Sequence, residues 1–230
     1  MSRIAIITAR GGSKRIPKKN IKDFCGKPII AYSIEAAIKS GEFDEVMVST
    51  DSEEIAEIAR KYGAKVPFMR SEKTSSDYAT TNDVLREVLL EYEKRGMKFE
   101  ELVCIYPTAP FVTGEKLKQA IAIFHETGAE SLMPVVKYSF PPQRAMVIRN
   151  QLLEYQYPEN ALKRSQDLEP VYHDCGQFYV MTYENVMRGK ISEKQAALIV
   201  SELEVQDIDN EEDWKMAEMK YRMMAEMVNS

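Results

Sequence analysis

Short apolar runs alternate with longer amphipathic segments through the first two thirds of the chain, and no other feature restricts the possible fold as much. The runs are rich in β-branched residues, so we predict strands at residues 4–7, 46–49, 66–69, 102–105 and 132–136. The segments between them place apolar residues every three to four positions, which predicts helices at residues 30–39, 53–62, 82–95 and 115–127. This order is typical of βαβ units and predicts an α/β fold, with helices on both faces of a mostly parallel sheet.

The alternation stops near Lys137. Residues 138–170 combine prolines, aromatic residues and scattered charges, which predicts an extended arm inserted into a single domain of residues 1–230. We expect this arm to form the contact of a homodimer. Two further strands are predicted at residues 176–182 and 198–203, and a long helix from about Glu211. On that helix, methionines at helical spacing predict a buried stripe of Met216, Met219, Met223 and Met227.

Length, charge and cysteine content argue against several classes of protein. A chain of 230 residues holds one large α/β domain. The formal net charge of −5 argues against the basic surface that binds nucleic acid regardless of sequence. The first apolar run is too short for a signal peptide, and no run approaches the roughly 18 apolar residues of a membrane span. Three cysteines without paired spacing fit a reducing compartment. We therefore expect a cytoplasmic protein without nucleic-acid or membrane partners.

A loop rich in glycine and cations follows the first predicted strand, at the strand end where ligands bind in open α/β sheets. Residues 9–20 run Ala-Arg-Gly-Gly-Ser-Lys-Arg-Ile-Pro-Lys-Lys-Asn. The adjacent Gly11 and Gly12 allow a ligand to approach the backbone, and five Lys and Arg residues supply countercharge for a nucleoside triphosphate. The loop lacks the P-loop and G-x-G-x-x-G patterns, so neither a P-loop ATPase nor a dehydrogenase is indicated. A solvated basic turn is the alternative.

These residues closely resemble the N-terminal signature of the sugar-acid cytidylyltransferases, the acylneuraminate cytidylyltransferase family. Further matches run along nearly the whole chain, at Gly26-Lys27-Pro28, Val48-Ser49-Thr50-Asp51, Arg70 with Ser76-Asp77, Pro107-Thr108-Ala109-Pro110, Arg164-Ser165-Gln166, Gly176-Gln177-Phe178-Tyr179 and Asp207-Ile208-Asp209. The resemblance implies a Rossmann-like nucleotidyltransferase fold of the glycosyltransferase-A-like kind. It also implies a reaction in which CMP passes from CTP to a nonulosonic acid with Mg²⁺ as cofactor.

The resemblance assigns the nucleotide side of the site. The triphosphate and ribose of CTP would be held by the loop. Its contacts would come from the backbone of Gly11 and Gly12 and from the side chains of Arg10, Ser13, Lys19 and Asn20. The cytosine would lie among Arg70, Ala79 and Thr81. For Arg70 a surface charge is the alternative, and for Thr81 an N-cap of the following helix. Arg10 and Lys19 are also predicted to be catalytic.

Two carboxylates near the end of the chain are candidate metal ligands. Asp207 and Asp209 flank Ile208 in an extended stretch, so both carboxylates point to one side. Mg²⁺ takes one or two protein carboxylates and completes its shell with phosphate oxygens and water, and the resemblance gives both residues this role. We predict that Asp207 is also catalytic. A helix cap is the alternative, chiefly for Asp209.

The acceptor side is predicted at Tyr106, Arg164, Gln177 and Tyr179. A guanidinium suits the carboxylate of a sugar acid, although an exposed Arg164 and a core Tyr179 are the alternatives. Tyr106 before Pro107, and Cys175-Gly176-Gln177, depart from the common sialic acid pattern. The run Tyr172–Tyr179 and the segment Phe140-Pro141-Pro142-Gln143-Arg144 resemble the pseudaminic acid branch. Lys19-Asn20 argues against Kdo as the acceptor. His173 and Asp174 stay unassigned. The rival hypotheses are another acceptor, N-acetylneuraminic, legionaminic or Kdo, and a non-catalytic nucleotide-binding protein.

Overall fold

The computed structural model describes residues 2–13 and 15–229; Lys14, one of the loop cations, lies outside the described residues. The strands are β1 (Arg3–Thr8), β2 (Asp23–Phe24), β3 (Lys27–Pro28), β4 (Glu45–Ser49), β5 (Glu101–Ile105), β6 (Ser131–Lys137), β7 (Met146–Arg149), β8 (Leu152–Tyr155), β9 (Tyr172–Asp174), β10 (Phe178–Thr182) and β11 (Gln195–Ile199). The helices are α1 (Ile29–Ser40), α2 (Glu53–Lys61), α3 (Glu72–Ser75), α4 (Thr81–Lys94), α5 (Gly114–Thr127), α6 (Tyr183–Arg188) and α7 (Glu211–Asn229).

A mixed sheet of seven strands forms the centre of the molecule, in the order β11-β6-β10-β5-β1-β4 with β9 also beside β6. β4, β1, β5, β6 and β11 run in one direction, whereas β9 and β10 run against them. The predicted α/β class and the mostly parallel sheet are confirmed. The carboxyl ends of β1, β4 and β5 meet at one edge, which we call the carboxyl edge.

The residues of β1 alternate between two hydrophobic cores, one on each face of the sheet. Ala5 and Ile7 belong to the core that includes residues of α1 and α5, whereas Ile4 and Ile6 belong to the core that includes residues of α4. All four side chains are fully buried. Burying one isoleucine side chain contributes about 2 kcal/mol, so these strands form a firm base for the loops that follow them.

Two of the predicted strands differ from the structure. Residues 66–69 form no strand, because Pro67 has no N–H to donate; the chain pairs with β4 only at the isolated bridge of Lys65 to Met47. The last strand is β11, Gln195–Ile199, rather than residues 198–203. It ends there because Ser201 caps the 3₁₀ turn that follows.

The methionine stripe on α7 is exposed, so its predicted burial is wrong. The exposed fractions of Met216, Met219, Met223 and Met227 are 47%, 64%, 44% and 63%. The opposite face of α7 packs instead into an aromatic cluster with Phe24 and Tyr32, through Trp214, Ala217, Tyr221 and Met224. Both sets of residues have helical spacing, and the helix buries the set that carries Trp214 and Tyr221.

The segment predicted as an arm contains a two-stranded hairpin, β7 with β8. Its connection is Asn150–Gln151, and both residues have positive φ, 51° and 64°. Two positive φ values are typical of the type I′ turn that suits a two-residue hairpin loop. Apolar side chains on this hairpin are exposed, namely Ile148, Leu152 and Leu153. Of the helices in the described residues, none combines the length and apolar character needed to cross a membrane.

Candidate nucleotide and acceptor site

The loop after β1 is tied to the strand beside it. The Ala9 amide donates to the Ser49 carbonyl at 2.9 Å, and the Gly11 amide donates to Asp51 Oδ1 at 2.8 Å. A Cβ atom at Gly11 would lie 3.1 Å from the Ser52 Cβ, so glycine is favoured here by close approach to α2. Gly12 has no atom within 4 Å of its Cβ position and leaves its backbone open to a ligand.

A short turn directs the end of the loop inwards. Lys18 has a φ of 53°, and the 3₁₀ turn Lys19–Ile21 begins directly after it. Asn20 is buried by this turn, and its side-chain amide donates to the Arg10 carbonyl at 2.8 Å. The two ends of the loop are therefore joined, with Arg10 and Lys19 held in one fixed structure.

The same turn joins the loop to the candidate metal ligands. Lys19 Nζ donates to the Ile208 carbonyl at 2.7 Å, and Arg15 forms an ion pair with Asp209 at 2.9 Å. Ile208 is buried in the aromatic cluster at the base of α7, which fixes the backbone on both sides of it. The cationic loop and the Asp207–Asp209 stretch consequently lie at one site.

Asn210 caps α7, so Asp209 is not the cap. The Asn210 side-chain oxygen accepts hydrogen bonds from the amides of Glu212 and Asp213, at 2.8 and 3.0 Å. Asp213 in turn accepts from the amides of Asp209 and Asn210. This arrangement leaves the Asp209 carboxylate to face Arg15 and the loop.

Opposing effects act on the Lys19 ammonium. Burial lowers the pKa of Lys19 below its ordinary value of 10.5, because the charged form loses water, while Asp209 and Asp207 oppose that shift. The result is a partly desolvated cation between two carboxylates. A cation in such a place interacts with a phosphate more strongly than a fully hydrated one does.

Tyr106 lines two cavities. Its amide donates to the Gln177 carbonyl, and its carbonyl accepts from the Ser33 hydroxyl, both at 2.8 Å. The nucleotide cleft has a volume of about 420 Å³ and is lined by Thr8, Arg10, Ser13, Arg15, Ile16, Lys19, Asn20, Tyr106, Pro107, Thr108 and Asp209. The acceptor cavity has a volume of about 530 Å³ and is lined by Tyr106, His173, Asp174, Cys175, Gly176, Tyr179, Val205, Gln206 and Asp207. Tyr106 thus forms a wall that both cavities share.

A break in one ladder of the sheet opens the acceptor cavity. β9 and β10 both pair antiparallel with β6, at Val135–Lys137 and at Ser131–Leu132 respectively, and the chain between them bulges opposite Pro134. Pro134 has no N–H to donate, and only its carbonyl pairs with this part of the chain, accepting from the Cys175 amide at 3.2 Å. Gly176, with a φ of 61°, makes the turn. β10 then brings Tyr179 against Tyr106, with ring centroids 5.5 Å apart.

The residues predicted to surround cytosine lie outside the described lining of both cavities. Arg70 is buried, which argues against the surface-charge alternative, and it donates to the Ser49 hydroxyl and carbonyl at 3.1 and 2.5 Å. Burial lowers the pKa of Arg70. The N-cap of α4 is Thr80; Thr81 follows it and lies 3.4 Å from the Tyr106 hydroxyl. Ala79 is half-buried in the preceding turn.

Two of the residues predicted to bind the acceptor are absent from the described lining of the acceptor cavity. Gln177 is buried, and its amide donates to the Glu204 carbonyl at 2.5 Å. Arg164 is exposed and forms an ion pair with Asp167 at 2.8 Å. Neither residue contributes to the described lining of the acceptor cavity, whereas Tyr106 and Tyr179 do.

Several residues of the site do not follow from the sequence alone. Arg15 pairs with Asp209, and the only sequence signal for this role is its place in the cationic loop. Asp51 and Asp77 occur in the motifs compared above, and they accept hydrogen bonds from Gly11 and Arg10 respectively. The contacts of Asp174 depend on the bulge after β9, which the sequence does not reveal.

The whole cleft region falls within one family match. Residues 4–212 match the family described as Cytidylyltransferase. The chain belongs to that family. It is therefore a nucleotidyltransferase, and the cationic loop, Tyr106 and the Asp207–Asp209 stretch all lie inside the matched region.

Individual members of the cytidylyltransferase family resemble this chain over most of its length. A pseudaminic acid cytidylyltransferase of Campylobacter jejuni is 40% identical over 226 residues, which covers 97% of each chain. A CMP-N,N'-diacetyllegionaminic acid synthase of Legionella pneumophila is 34% identical and covers 94% of each chain. An N-acylneuraminate cytidylyltransferase of Streptococcus agalactiae is 31% identical, and the match covers 93% of this chain and 52% of that protein.

Two solved structures share the fold of this chain over nearly its whole length. A CMP-2-keto-3-deoxy-manno-octonic acid synthetase in complex with CTP superposes with a TM-score of 0.68 at 15% identity, covering 98% of this chain and 100% of that one. A 4-diphosphocytidyl-2C-methyl-D-erythritol synthase of Anaerococcus prevotii gives 0.66 at 14% identity, covering 96% and 98%. At identities this low, the structural similarity establishes the fold alone, which is the nucleotidyltransferase fold. It confirms the predicted fold class.

The donor set at residues 207–209 suits Mg²⁺ bound together with a nucleotide. Asp207 is exposed towards the acceptor cavity and Asp209 lines the nucleotide cleft, so hard oxygen donors adjoin both spaces. Among the residues that the structure describes, no group of three or more His, Cys, Asp and Glu side chains could enclose an ion. Mg²⁺ commonly binds through one or two protein carboxylates together with substrate phosphates, which fits these residues.

Proposed function

We propose that this cytidylyltransferase transfers CMP from CTP to the anomeric hydroxyl of a nonulosonic acid, most specifically pseudaminic acid, and releases pyrophosphate. The observation that carries the proposal is the hydrogen bond from Lys19 to the Ile208 carbonyl, which holds the cationic loop against the Asp207–Asp209 stretch. The similarity to the Campylobacter jejuni enzyme over 97% of each chain favours pseudaminic acid among the possible acceptors. We also propose that the protein works in the cytoplasm.

The nucleotide cleft would bind CTP with its phosphates towards the loop. Arg10 and Lys19 offer charge, while Ser13, Asn20 and the open backbone of Gly12 offer polar groups for the triphosphate and ribose. Following the resemblance, cytosine would lie towards Ala79 and Thr81, with Arg70 behind them holding the end of β4. The contact of Thr81 with Tyr106 supports this placement because it joins the base side to the wall of the cleft.

The reaction would be an in-line displacement at the α-phosphorus. The anomeric oxygen forms a bond to that phosphorus, the bond to the β-phosphate oxygen breaks, and the proton of the hydroxyl passes to solvent. Negative charge grows on the departing pyrophosphate, where Arg10 and Lys19 would neutralise it. Mg²⁺, when held by Asp207 and Asp209, supplies further positive charge to the phosphate oxygens.

We further propose that the chain forms a homodimer through the segment of residues 138–170. The hairpin of β7 and β8 exposes 76% of Ile148, 68% of Leu152 and 65% of Leu153. Contiguous exposed apolar residues of this kind mark interaction sites on soluble proteins. Arg164 lies on the same segment, so a second copy could bring it to an acceptor cavity. Sedimentation of wild type and of a variant with Ile148 and Leu152 changed to serine should give a dimer and a monomer respectively.

Pyrophosphate release tests the activity directly. The purified protein should release pyrophosphate from CTP and Mg²⁺ only when a nonulosonic acid is present, and fastest with pseudaminic acid. Legionaminic, N-acetylneuraminic and Kdo acceptors should be slower by about tenfold or more, since a misfitted polar group in a binding site costs at least that much. Release with none of these acids would contradict the proposed function and favour a non-catalytic nucleotide-binding protein.

A further inference from the structure

A fixed carboxylate stands in the wall of the acceptor cavity, and the reaction proposed above makes no use of it. Asp174 ends β9, and both of its oxygens are engaged: Oδ1 accepts from the Gly176 amide at 2.8 Å, and Oδ2 accepts from the Tyr179 hydroxyl at 2.7 Å. These two hydrogen bonds fix the orientation of the Asp174 carboxylate. Each carboxylate oxygen can accept two hydrogen bonds, so one position on each stays open to a ligand.

The surroundings of Asp174 restrict what that ligand group can be. Among the described residues that line the acceptor cavity, none is Lys or Arg, so the carboxylate of the sugar acid itself would not be stabilised beside Asp174 and Asp207. Cys175 is buried next to it, and burial raises the pKa of the Cys175 thiol to about 12, so this thiol carries no charge. Val205 adds an apolar surface. The cavity thus offers a hydrogen-bond acceptor beside a small apolar surface.

We propose that Asp174 binds the amide N–H of an acylamino substituent of the sugar acid, with the acyl methyl against Cys175 and Val205. An acylamino group combines one donor with one small apolar group, which matches both features. Tyr179 acts as a positioning residue, because its hydroxyl holds Asp174 Oδ2 while its ring packs on Tyr106. This assignment rests on the proposed function and names what the acceptor cavity selects.

Acceptor pairs test this assignment. The assay compares three proteins: wild type, Asp174→Ala and the isosteric Asp174→Asn. Each is given pseudaminic acid and analogues in which one acylamino group at a time is replaced by hydrogen or by hydroxyl. For one of those positions, wild type should prefer the acylamino form, and both variants should lower kcat/KM for it by about 10- to 100-fold. On the hydrogen analogue at that position the variants should match wild type, because no N–H remains to be bound.

Tyr179→Phe serves as the graded variant and Glu57→Ala, at an exposed position on α2, as the matched control. Losing the Tyr179 hydroxyl should lower kcat/KM for the acylamino acceptor by about three- to tenfold, with the same selectivity. Glu57→Ala should match wild type, and KM for CTP should stay within about twofold of wild type in every variant.

The outcomes separate the two proposals. A wild-type protein that is inactive with every acid contradicts the proposed function. An active wild type whose Asp174 variants lose activity equally on acylamino and hydrogen acceptors, or keep the wild-type preference, contradicts only the role of Asp174. If wild type uses the hydroxyl analogue as well as the acylamino form and Asp174→Ala impairs both equally, the acylamino assignment is wrong.

Discussion

Charged residues lie at both ends of the parallel strands, but they are buried at one end and partly exposed at the other. At the amino end, Arg3, Glu45 and Glu101 are the first residues of β1, β4 and β5, and all three are buried. Arg3 pairs with Glu101 at 2.7 Å, and Glu45 accepts from Lys65 at 2.6 Å. These three charged groups are paired and buried, so they are not available to bind a ligand.

At the carboxyl edge the charges are only partly buried. Arg10 and Asp77 form an ion pair in which the side chains are 40% and 47% exposed, and the pair of Arg15 and Asp209 is 70% and 43% exposed. Exposed pairs of this kind contribute little to stability, so under the proposed function a phosphate would replace the carboxylate at small cost. The difference teaches that burial and pairing, rather than residue type, separate the charges that hold the sheet from those that are open to a ligand.

The sharpest test of this difference is Lys19→Ala. We expect kcat/KM for CTP to fall by at least about 100-fold, because a desolvated cation aimed at the phosphates is lost. The melting temperature should change little, since Lys19 is only partly buried. Steady-state kinetics and thermal unfolding measure the two effects. Lys18→Ala, which removes a neighbouring exposed cation paired with Glu54, should stay within about threefold. A wild-type Michaelis constant for CTP in Lys19→Ala would contradict the role of the loop.

Asp207→Ala should lower kcat by about 30- to 100-fold at saturating Mg²⁺, since one hard oxygen donor of the metal is removed. The carboxylate is exposed, so the unfolding free energy should stay within about 0.5 kcal/mol of wild type. Titration of activity with Mg²⁺ gives the comparison. Unchanged activity over the whole titration would remove Asp207 from the metal site.

Glu101→Gln should have the reverse effect, with normal turnover and a loss of about 2 to 3 kcal/mol in unfolding free energy at pH 7. Burial alone would raise the pKa of Glu101, but hydrogen bonds from Arg3 and His125 outweigh it and hold the pKa below 4.5. The contribution is therefore present above pH 4.5 and is lost as the pH falls through the lower folded pKa. Urea unfolding from pH 7 to pH 3 should show wild type and Glu101→Gln converging. A constant gap would exclude this linkage.

The smallest effect concerns the alkaline limb of the pH profile. Because burial lowers the pKa of Lys19, kcat/KM for CTP should decline at a pH below 10.5, where an ordinary lysine would still be charged. Lys19→Arg keeps its charge over this range. It should lose activity by only a few-fold at pH 8 and lack the decline. An identical alkaline limb in both proteins would show that Lys19 is not the group that titrates.

The parts of the fold that local chemistry determines could be predicted from the sequence. The apolar runs of β1, β4, β5 and β6 and the glycine-and-cation loop after β1 all lie where their residues indicate. The prediction failed where distant contacts decide the result. The spacing of Met216 and Met219 correctly predicts the helix α7, but only packing against Phe24 determines which face is buried.

The candidate site follows the same rule. The resemblance predicts that the loop lies near Asp209; Arg15 pairs with Asp209, and Lys19 donates to the neighbouring Ile208 carbonyl. The role of Asp174 could not be predicted, because its orientation depends on the pairing of β9 with β6 and on the turn at Gly176. The roles of Gln177 and Arg164 stay predictions, to be tested with bound substrates.

The bond between Lys19 and the Ile208 carbonyl joins residues that are 189 positions apart. During synthesis, every strand of the central sheet has left the ribosome once Ile199 has emerged, yet Lys19 still lacks the carbonyl that holds its loop. A nascent chain thus contains all the strands of its sheet before this contact can form. A chain that ends after residue 200 would contain every strand of the central sheet but neither Asp207 nor Asp209.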